Sequence, residues 1–251
     1  VVFEDALGVQ NMFREDLLSQ QELARLERIS VQLRAGEPVQ YAVGVAHFYG
    51  LVLQVDRRVL IPRPETEELV HWILEDRQKK DALKVLDIGA GSGCIALALK
   101  KNRPEWAVAA LDVSAGALEV VRANAGRLNL SLDFLNLDIL DEQNWTHLST
   151  YDLIVSNPPY IPRREARLMP EQVRRFEPEE ALFVDDEQPL IFYEKIARLG
   201  LEKLSSNGQA YVETNEYNAV EVVEIFRRAG YRDVTLRQDM QGKDRMVRSS
   251  R

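Results

Sequence analysis

The sequence has one cysteine, Cys94, and three histidines among 251 residues. A single cysteine excludes an internal disulfide framework and suits a reducing compartment. His47, His71 and His147 share no metal-site spacing, so they read as structural or surface residues. No apolar run approaches the roughly 20 residues that a membrane span needs. Residues 1–20 carry too many charges for a secretory leader. Positive charge is also scarce, with 32 Lys and Arg against 40 Asp and Glu and a net charge of −8. That balance counts against nonspecific nucleic-acid binding, which rests on phosphate neutralisation. The remainder, 45% hydrophobic and 29% charged, is the composition of a soluble globular protein, expected in the cytoplasm.

Residues 1–36 read as helical. Ser19-Gln20-Gln21-Glu22 has the form of a capping box, and Leu23, Leu26, Ile29 and Leu33 then recur as one apolar stripe. Gly36 and Pro38 end it. Residues 45–61 read as a hairpin broken near Gly50, and IPRPETEELVHWILED as a helix opened by prolines, with Leu69, Ile73 and Leu74 on its buried face. The charged segment 77–82 divides a smaller N-terminal part from a larger C-terminal one. From residue 83 strands alternate with helices, which implies a mostly parallel sheet covered on both faces. Strands are expected at 83–88, 106–112, 132–136, 151–156 and 208–214, with helices at 189–204 and 219–229 and Ser114 capping another. Gln241-Gly242 closes a C-terminal hairpin. The fold class is therefore α/β, a Rossmann-like, mostly parallel sheet ending in an antiparallel hairpin.

The chemistry gathers at strand ends. In VLDIGAGSG, the turn Gly89-Ala90-Gly91-Ser92-Gly93 follows the first strand of this sheet. Glycines there allow positive φ and close backbone approach to a ligand. No G-K-[ST] follows, which argues against a P-loop. The second strand ends in Asp112, where a carboxylate can accept from both hydroxyls of a ribose. The third runs into Asp138-Ile139, a carboxylate for an adenine amine and an aliphatic cover for the ring. To this point NAD and S-adenosyl-L-methionine (SAM) both remain open. The fourth strand runs into Asn157-Pro158-Pro159-Tyr160. Two prolines remove two donors, fix φ near −65° and keep Asn157 extended. That stiff turn can aim the Asn157 side-chain carbonyl and the Pro158 backbone carbonyl together at an –NH₂ group, with the Tyr160 ring against its plane. A planar amide or the exocyclic amine of a base fits such a receptor.

With this turn beside the glycine loop and Asp112, the chain resembles SAM-dependent methyltransferases acting on amide or base nitrogens. More narrowly it resembles the release factor glutamine methyltransferases. The resemblance rests on GEPVQYAVG (36–44), HFYGL (47–51), IPRPETE (61–67), VLDIGAGSGCIALAL (85–99), SNPPYIP (156–162) and FEPEEALF (176–183). It implies a seven-stranded sheet and N5-methylation of the glutamine in the Gly-Gly-Gln motif of class I peptide chain release factors, with S-adenosyl-L-homocysteine as product. The amide nitrogen would attack the sulfonium methyl in line, with Asn157, Pro158 and Tyr160 as catalytic positioning groups, Pro159 also in the substrate site and Asn157 also bordering the cofactor. Thr66 would lie near the amino-acid end of SAM, and Phe48 would wall the transfer site. On this view residues 1–44 dock the substrate, 45–82 form a hairpin and connecting helix, and 83–251 form the methyltransferase domain.

The expected partner is a release factor, met by a monomer without direct nucleic-acid or membrane contact. The family's N-terminal domain is generally longer, and the chain opens with Val-Val, so the natural start is expected upstream. VETNEYN lacks the Gly and Gln of many relatives, which leaves that loop's role open. Other readings are a DNA or RNA amino-methyltransferase (adenine N6 or guanine N2), a SAM-binding regulator without turnover, and an NAD-dependent dehydrogenase. The first lacks a basic face or target-recognition domain, and the last gives Asn157-Pro158-Pro159-Tyr160 no purpose.

Overall fold

A computed structural model describes residues 5–6, 18–77 and 81–251. Helix α1 (Gln20–Arg34) starts at the expected capping box: Glu22 N–H donates to Ser19 Oγ at 3.3 Å and Ser19 N–H to the Glu22 carboxylate at 2.7 Å. The predicted stripe on α1 is partly covered, with Leu26 half-buried beside Ile29. Of its four apolar positions only Ile29 is buried, while Leu23 and Leu33 are 42% and 37% exposed. Among the described residues, Ile29 packs with Ala6 and Val43 in a small cluster, with Leu26 against it.

After α2 (Val39–Val43), strands β1 (Val45–Phe48) and β2 (Leu51–Gln54) pair antiparallel, with Phe48 opposite Leu51. Their turn places Tyr49 at φ 46° and Gly50 at φ 75°, the doubly positive geometry of a tight hairpin. Alternation then buries Ala46, Phe48, Leu51 and Leu53 on one face. Helix α3 (Pro64–Asp76) begins on Pro64, whose missing N–H costs nothing in a first turn.

Among the described residues, seven strands form one sheet: β3 (Lys84–Ile88), β4 (Ala107–Asp112), β5 (Asp133–Asn136), β6 (Tyr151–Ser156), β9 (Leu204–Glu213), β10 (Asp233–Gln238) and β11 (Asp244–Ser250). Their order is β10-β11-β9-β6-β3-β4-β5. Strands β9, β6, β3, β4 and β5 pair in parallel, and β11 runs antiparallel between β9 and β10. Gly242 at φ 80° turns the predicted hairpin. The short pair β7 (Ile161–Pro162) and β8 (Phe183–Val184) stands apart from the sheet.

Successive residues of β3 feed two cores, as strand alternation requires. Val85 joins Val108, Val155 and Tyr211 under α3, α4 (Cys94–Asn102), α5 (Ala115–Leu128) and the hairpin. Leu86 and Ile88 join Ile154 and Val212 under α8 (Ile191–Lys203) and α9 (Ala219–Ala229). The short helices α6 (Glu171–Phe176) and α7 (Glu179–Leu182) lie between β7 and β8 in the chain. The 77–82 connector falls partly outside the described residues. On either side of it, Phe48, Leu53, Leu69 and Ile73 share one core with Ala96 and Leu97.

Candidate active site

The loops that leave the carboxyl ends of the five parallel strands lie on one side of the sheet, the place where open α/β sheets hold ligands. Gly89, Gly91 and Gly93 have φ of 73°, 55° and 80°, as the sequence requires of that turn. Their reasons differ. A Cβ on Gly89 would meet nothing within 4 Å, so this part of the loop is open. A Cβ on Gly93 would lie 2.7 Å from Val121 Cγ1, so this glycine lets the loop pack directly on α5. Asn124, also on α5, donates to the Ser92 carbonyl at 3.0 Å while bonding both backbone groups of Gln54. One buried amide thus ties the loop to the β-hairpin.

Asp112 stands at the end of β4 as expected. Its carboxylate accepts from Gly91 N–H and Ser114 N–H, both at 2.9 Å. Burial pushes its pKa up, against these two backbone bonds. Each oxygen keeps a further lone pair, enough to accept two ligand hydroxyls. Asp138 is exposed; one of its oxygens accepts from Leu140 N–H at 2.8 Å. Ile139 is buried and packs with Trp145, whose indole N–H donates to the Ile139 carbonyl at 3.0 Å.

One buried acceptor at the glycine loop, Asp87 Oδ1, has no hydrogen-bond partner among the described residues. The other Asp87 oxygen accepts from Ala96 N–H at 3.0 Å, and burial raises this carboxyl to about 7. An unfilled acceptor beside an open glycine turn and a strand-end carboxylate with free lone pairs fits a ligand rich in hydroxyl and ammonium donors, as SAM is.

The acceptor half lies at the end of β6. Asn157, Pro158 and Tyr160 line a cavity of about 250 Å³ with Leu60, Arg63 and Val173. Asn157 Nδ2 donates to Thr66 Oγ1 at 3.1 Å, and the Thr66 hydroxyl donates to Glu213 Oε2 at 2.6 Å. The amide nitrogen is thereby engaged by Thr66. Arg63 donates to Glu177 at 2.6 Å and Ile61 N–H to the same carboxylate at 3.1 Å, so IPRPETE and FEPEEALF close the cavity as a joined pair. Burial lifts the Tyr160 hydroxyl to about 12. No carboxylate or histidine is among the described residues lining the cavity.

Of the expected site residues, Thr66 and Asn157 are brought into direct contact. Phe48 is 1% exposed and packed in the core with Leu69 and Ile73, and is not among the cavity's lining residues. Pro159 is half-buried on the turn. Sequence reasoning missed Glu213 and Glu177. The signal for Glu213 was a carboxylate ending an otherwise apolar buried strand, AYVE; FEPEEALF was quoted as a motif without a role for its first acid.

The family model for the methyltransferase small domain matches residues 68–178. The chain is 42% identical to the release factor glutamine methyltransferase of Flavobacterium psychrophilum, over 90% of this chain and 80% of that protein. It is 44% identical to the release factor glutamine methyltransferase of Lactococcus lactis, over 94% of this chain and 86% of that one. Among solved structures, a methyltransferase from Pyrococcus furiosus superposes with a TM-score of 0.59 at 17% identity, covering 92% of this chain and 98% of that one, a likeness of fold. Identity of this level over nearly the whole length settles the family: the chain belongs to the release factor glutamine methyltransferases.

Proposed function

We propose that this protein transfers a methyl group from SAM to the side-chain nitrogen of the glutamine in the Gly-Gly-Gln motif of class I release factors. The observation that carries this reading is the Asn157 amide, anchored through its nitrogen on Thr66 and bordering a cavity large enough for one planar side chain. Gly89, Ala90, Gly91, Ser92, Gly93 and Asp112 would hold the cofactor, with Asp138 and Ile139 at its base and Thr66 at its amino-acid end. SAM, when bound, supplies an electrophilic methyl group on a sulfonium sulfur.

The chain's own residues do the rest by placement. Asn157 Oδ1 and the Pro158 carbonyl accept the two N–H bonds of the substrate amide and leave its face open to the methyl donor. The Tyr160 ring and the apolar walls exclude water and limit tilting. An amide nitrogen is a weak nucleophile, yet no base lines the cavity, and a tyrosine at about 12 stays protonated at neutral pH. Holding the nitrogen in line can lower the barrier by roughly 7–11 kcal/mol in favourable cases. One of its two protons passes to solvent water with or after methyl transfer, once the nitrogen has become strongly acidic.

Residues 1–44 serve in this reading to dock the release factor, with the cytoplasm as the compartment and the monomer as the working unit. No described helix is long and apolar enough to cross a membrane. The test is transfer of labelled methyl from SAM to a purified class I release factor, beside a Gly-Gly-Ala variant of that factor, bulk RNA and bulk DNA. Label on the unmodified factor alone is the expected outcome. Label on nucleic acid alone would assign the cavity to a base instead.

A further inference from the structure

We propose that Glu213 is a positioning residue for methyl transfer: through the Thr66 hydroxyl it holds the Asn157 amide with nitrogen inward and oxygen toward the cavity. This rests on the reading of Asn157 as acceptor of the substrate amide. The three groups come from distant places, Thr66 on the first turn of α3, Asn157 after β6 and Glu213 at the end of β9. Thr66 and Glu213 are each 2% exposed. Water therefore does not compete for their bonds.

The direction of each bond follows from donor counting. An ionised carboxylate only accepts, so Thr66 must give Glu213 its single proton, across 2.6 Å. The Thr66 oxygen is then an acceptor toward Asn157 and draws the –NH₂ end of the amide, at 3.1 Å. An amide rotated by half a turn would set oxygen against oxygen here and present –NH₂ to the –NH₂ of the substrate. One buried charge thus decides which end of Asn157 meets the reacting nitrogen.

Protonating Glu213 reverses the chain. A carboxylic acid can donate to Thr66, whose own proton then turns to Asn157 and favours the rotated amide. The change falls in an accessible range: burial, with Glu65 adding, raises the Glu213 carboxyl to about 7. Hydrogen bonding from the Thr66 hydroxyl, the charge of Arg245 and hydrogen bonding from the Asn157 side chain itself oppose that rise, so Glu213 draws the Asn157 nitrogen directly as well as through Thr66. The other ionisable groups in its field are Tyr160 after β6 and Cys94 on α4, while the Tyr193 hydroxyl on α8 bonds its backbone carbonyl at 3.1 Å. Arg245, on β11, is itself held by Asp239 and the Thr214 carbonyl, at 3.3 and 3.2 Å.

The experiment compares the unmodified enzyme with Glu213→Gln and Thr66→Val from about pH 6 to about pH 8.5, the range in which such a group titrates. It reads kcat and KM for a class I release factor, SAM affinity by calorimetry, thermal melting, and the Asn157 side-chain amide resonance in an ¹⁵N-labelled sample. In the unmodified enzyme kcat should fall below about pH 7, tending to tenfold per pH unit, with SAM affinity little changed. The Asn157 amide signal should shift with the same midpoint. Glu213→Gln, whose amide can present either oxygen or –NH₂ to Thr66, should work roughly tenfold below the alkaline plateau and lose that pH limb. Thr66→Val should lose both the limb and, on the order of tenfold to a hundredfold, kcat.

An unaltered acidic limb in Glu213→Gln would overturn the proposal, as would an Asn157 signal that does not move with pH. If Glu213→Gln fails to fold, the Asn157 signal and Thr66→Val decide the question by the same criteria. Failure of the underlying reading looks different: the unmodified enzyme would then label no release factor, or would label the Gly-Gly-Ala variant equally.

Discussion

The two halves of the crevice are made in different ways. On the cofactor side, contacts join neighbouring strand ends: Gly91 reaches Asp112, Gly89 and Ala90 bond the Leu111 carbonyl, and Ser114 closes on Asp112 two residues back. Backbone N–H groups do most of the holding. On the acceptor side, side chains meet across long stretches of sequence. Thr66 and Glu213 are 147 residues apart, Arg63 and Glu177 114, and Asn157 and Thr66 91. A backbone-built site follows from strand–turn–helix geometry and tolerates many side chains. A side-chain site exists only once the whole domain has closed.

The largest effect should come from breaking the acceptor half alone. Asn157→Ala is expected to lower kcat/KM at least about a hundredfold, the scale of lost alignment, while SAM affinity stays within about tenfold. Labelled-methyl transfer and calorimetry check the two arms. Equal loss in both would dissolve the distinction between the halves.

Asp112→Ala should do the converse. Removing a carboxylate that can take two ligand hydroxyls is expected to weaken SAM binding about ten- to a hundredfold, with much of kcat recovered at saturating SAM. An unchanged dissociation constant in calorimetry would take Asp112 out of the cofactor site.

Gly93→Ala probes the packing beneath the loop. Its Cβ would press on Val121 at a residue with φ of 80°, so the variant should lose about 1–3 kcal/mol of stability in denaturant titration. Gly89→Ala shares the backbone strain but meets no neighbour, and should lose less.

The smallest effect is a pH dependence common to both halves. Burial raises Asp87 and Glu213 from ordinary values of 3.8 and 4.5 to about 7. Folded values above unfolded ones mean that their contribution is complete below the unfolded values and fades as pH rises through about 7. Melting temperature should therefore drop by a few degrees between about pH 6 and about pH 8, at roughly 2–4 °C per kcal/mol for a chain of this size. Asp87→Asn should flatten its share of the drop. Stability and activity then move in opposite directions across this window, because the ionised Glu213 that costs stability is the form that orients Asn157.

Periodicity found the sheet because each strand and helix there is a local pattern: YDLIVS became Tyr151–Ser156 and the helix at 219–229 kept its expected bounds. It found α1 as well, from the capping box to Arg34, although among the stripe residues only Ile29 is buried and Leu26 half-buried. Phe48 was ambiguous because a strand position directly before a hairpin turn can face core or crevice, and packing against α3 made it core.

By itself the sequence determined the α/β order, the positive-φ glycine turn, the stiff end of β6 and the family to which the chain belongs. Each is written in neighbouring residues, whose propensities and spacings act before the chain is compact. Only the tertiary structure decided that Thr66, Asn157 and Glu213 form one hydrogen-bonded chain, and that Glu177 locks Arg63 over the cavity. Those meetings depend on strand order and helix docking, and their bond directions on a burial that no local sequence pattern specifies.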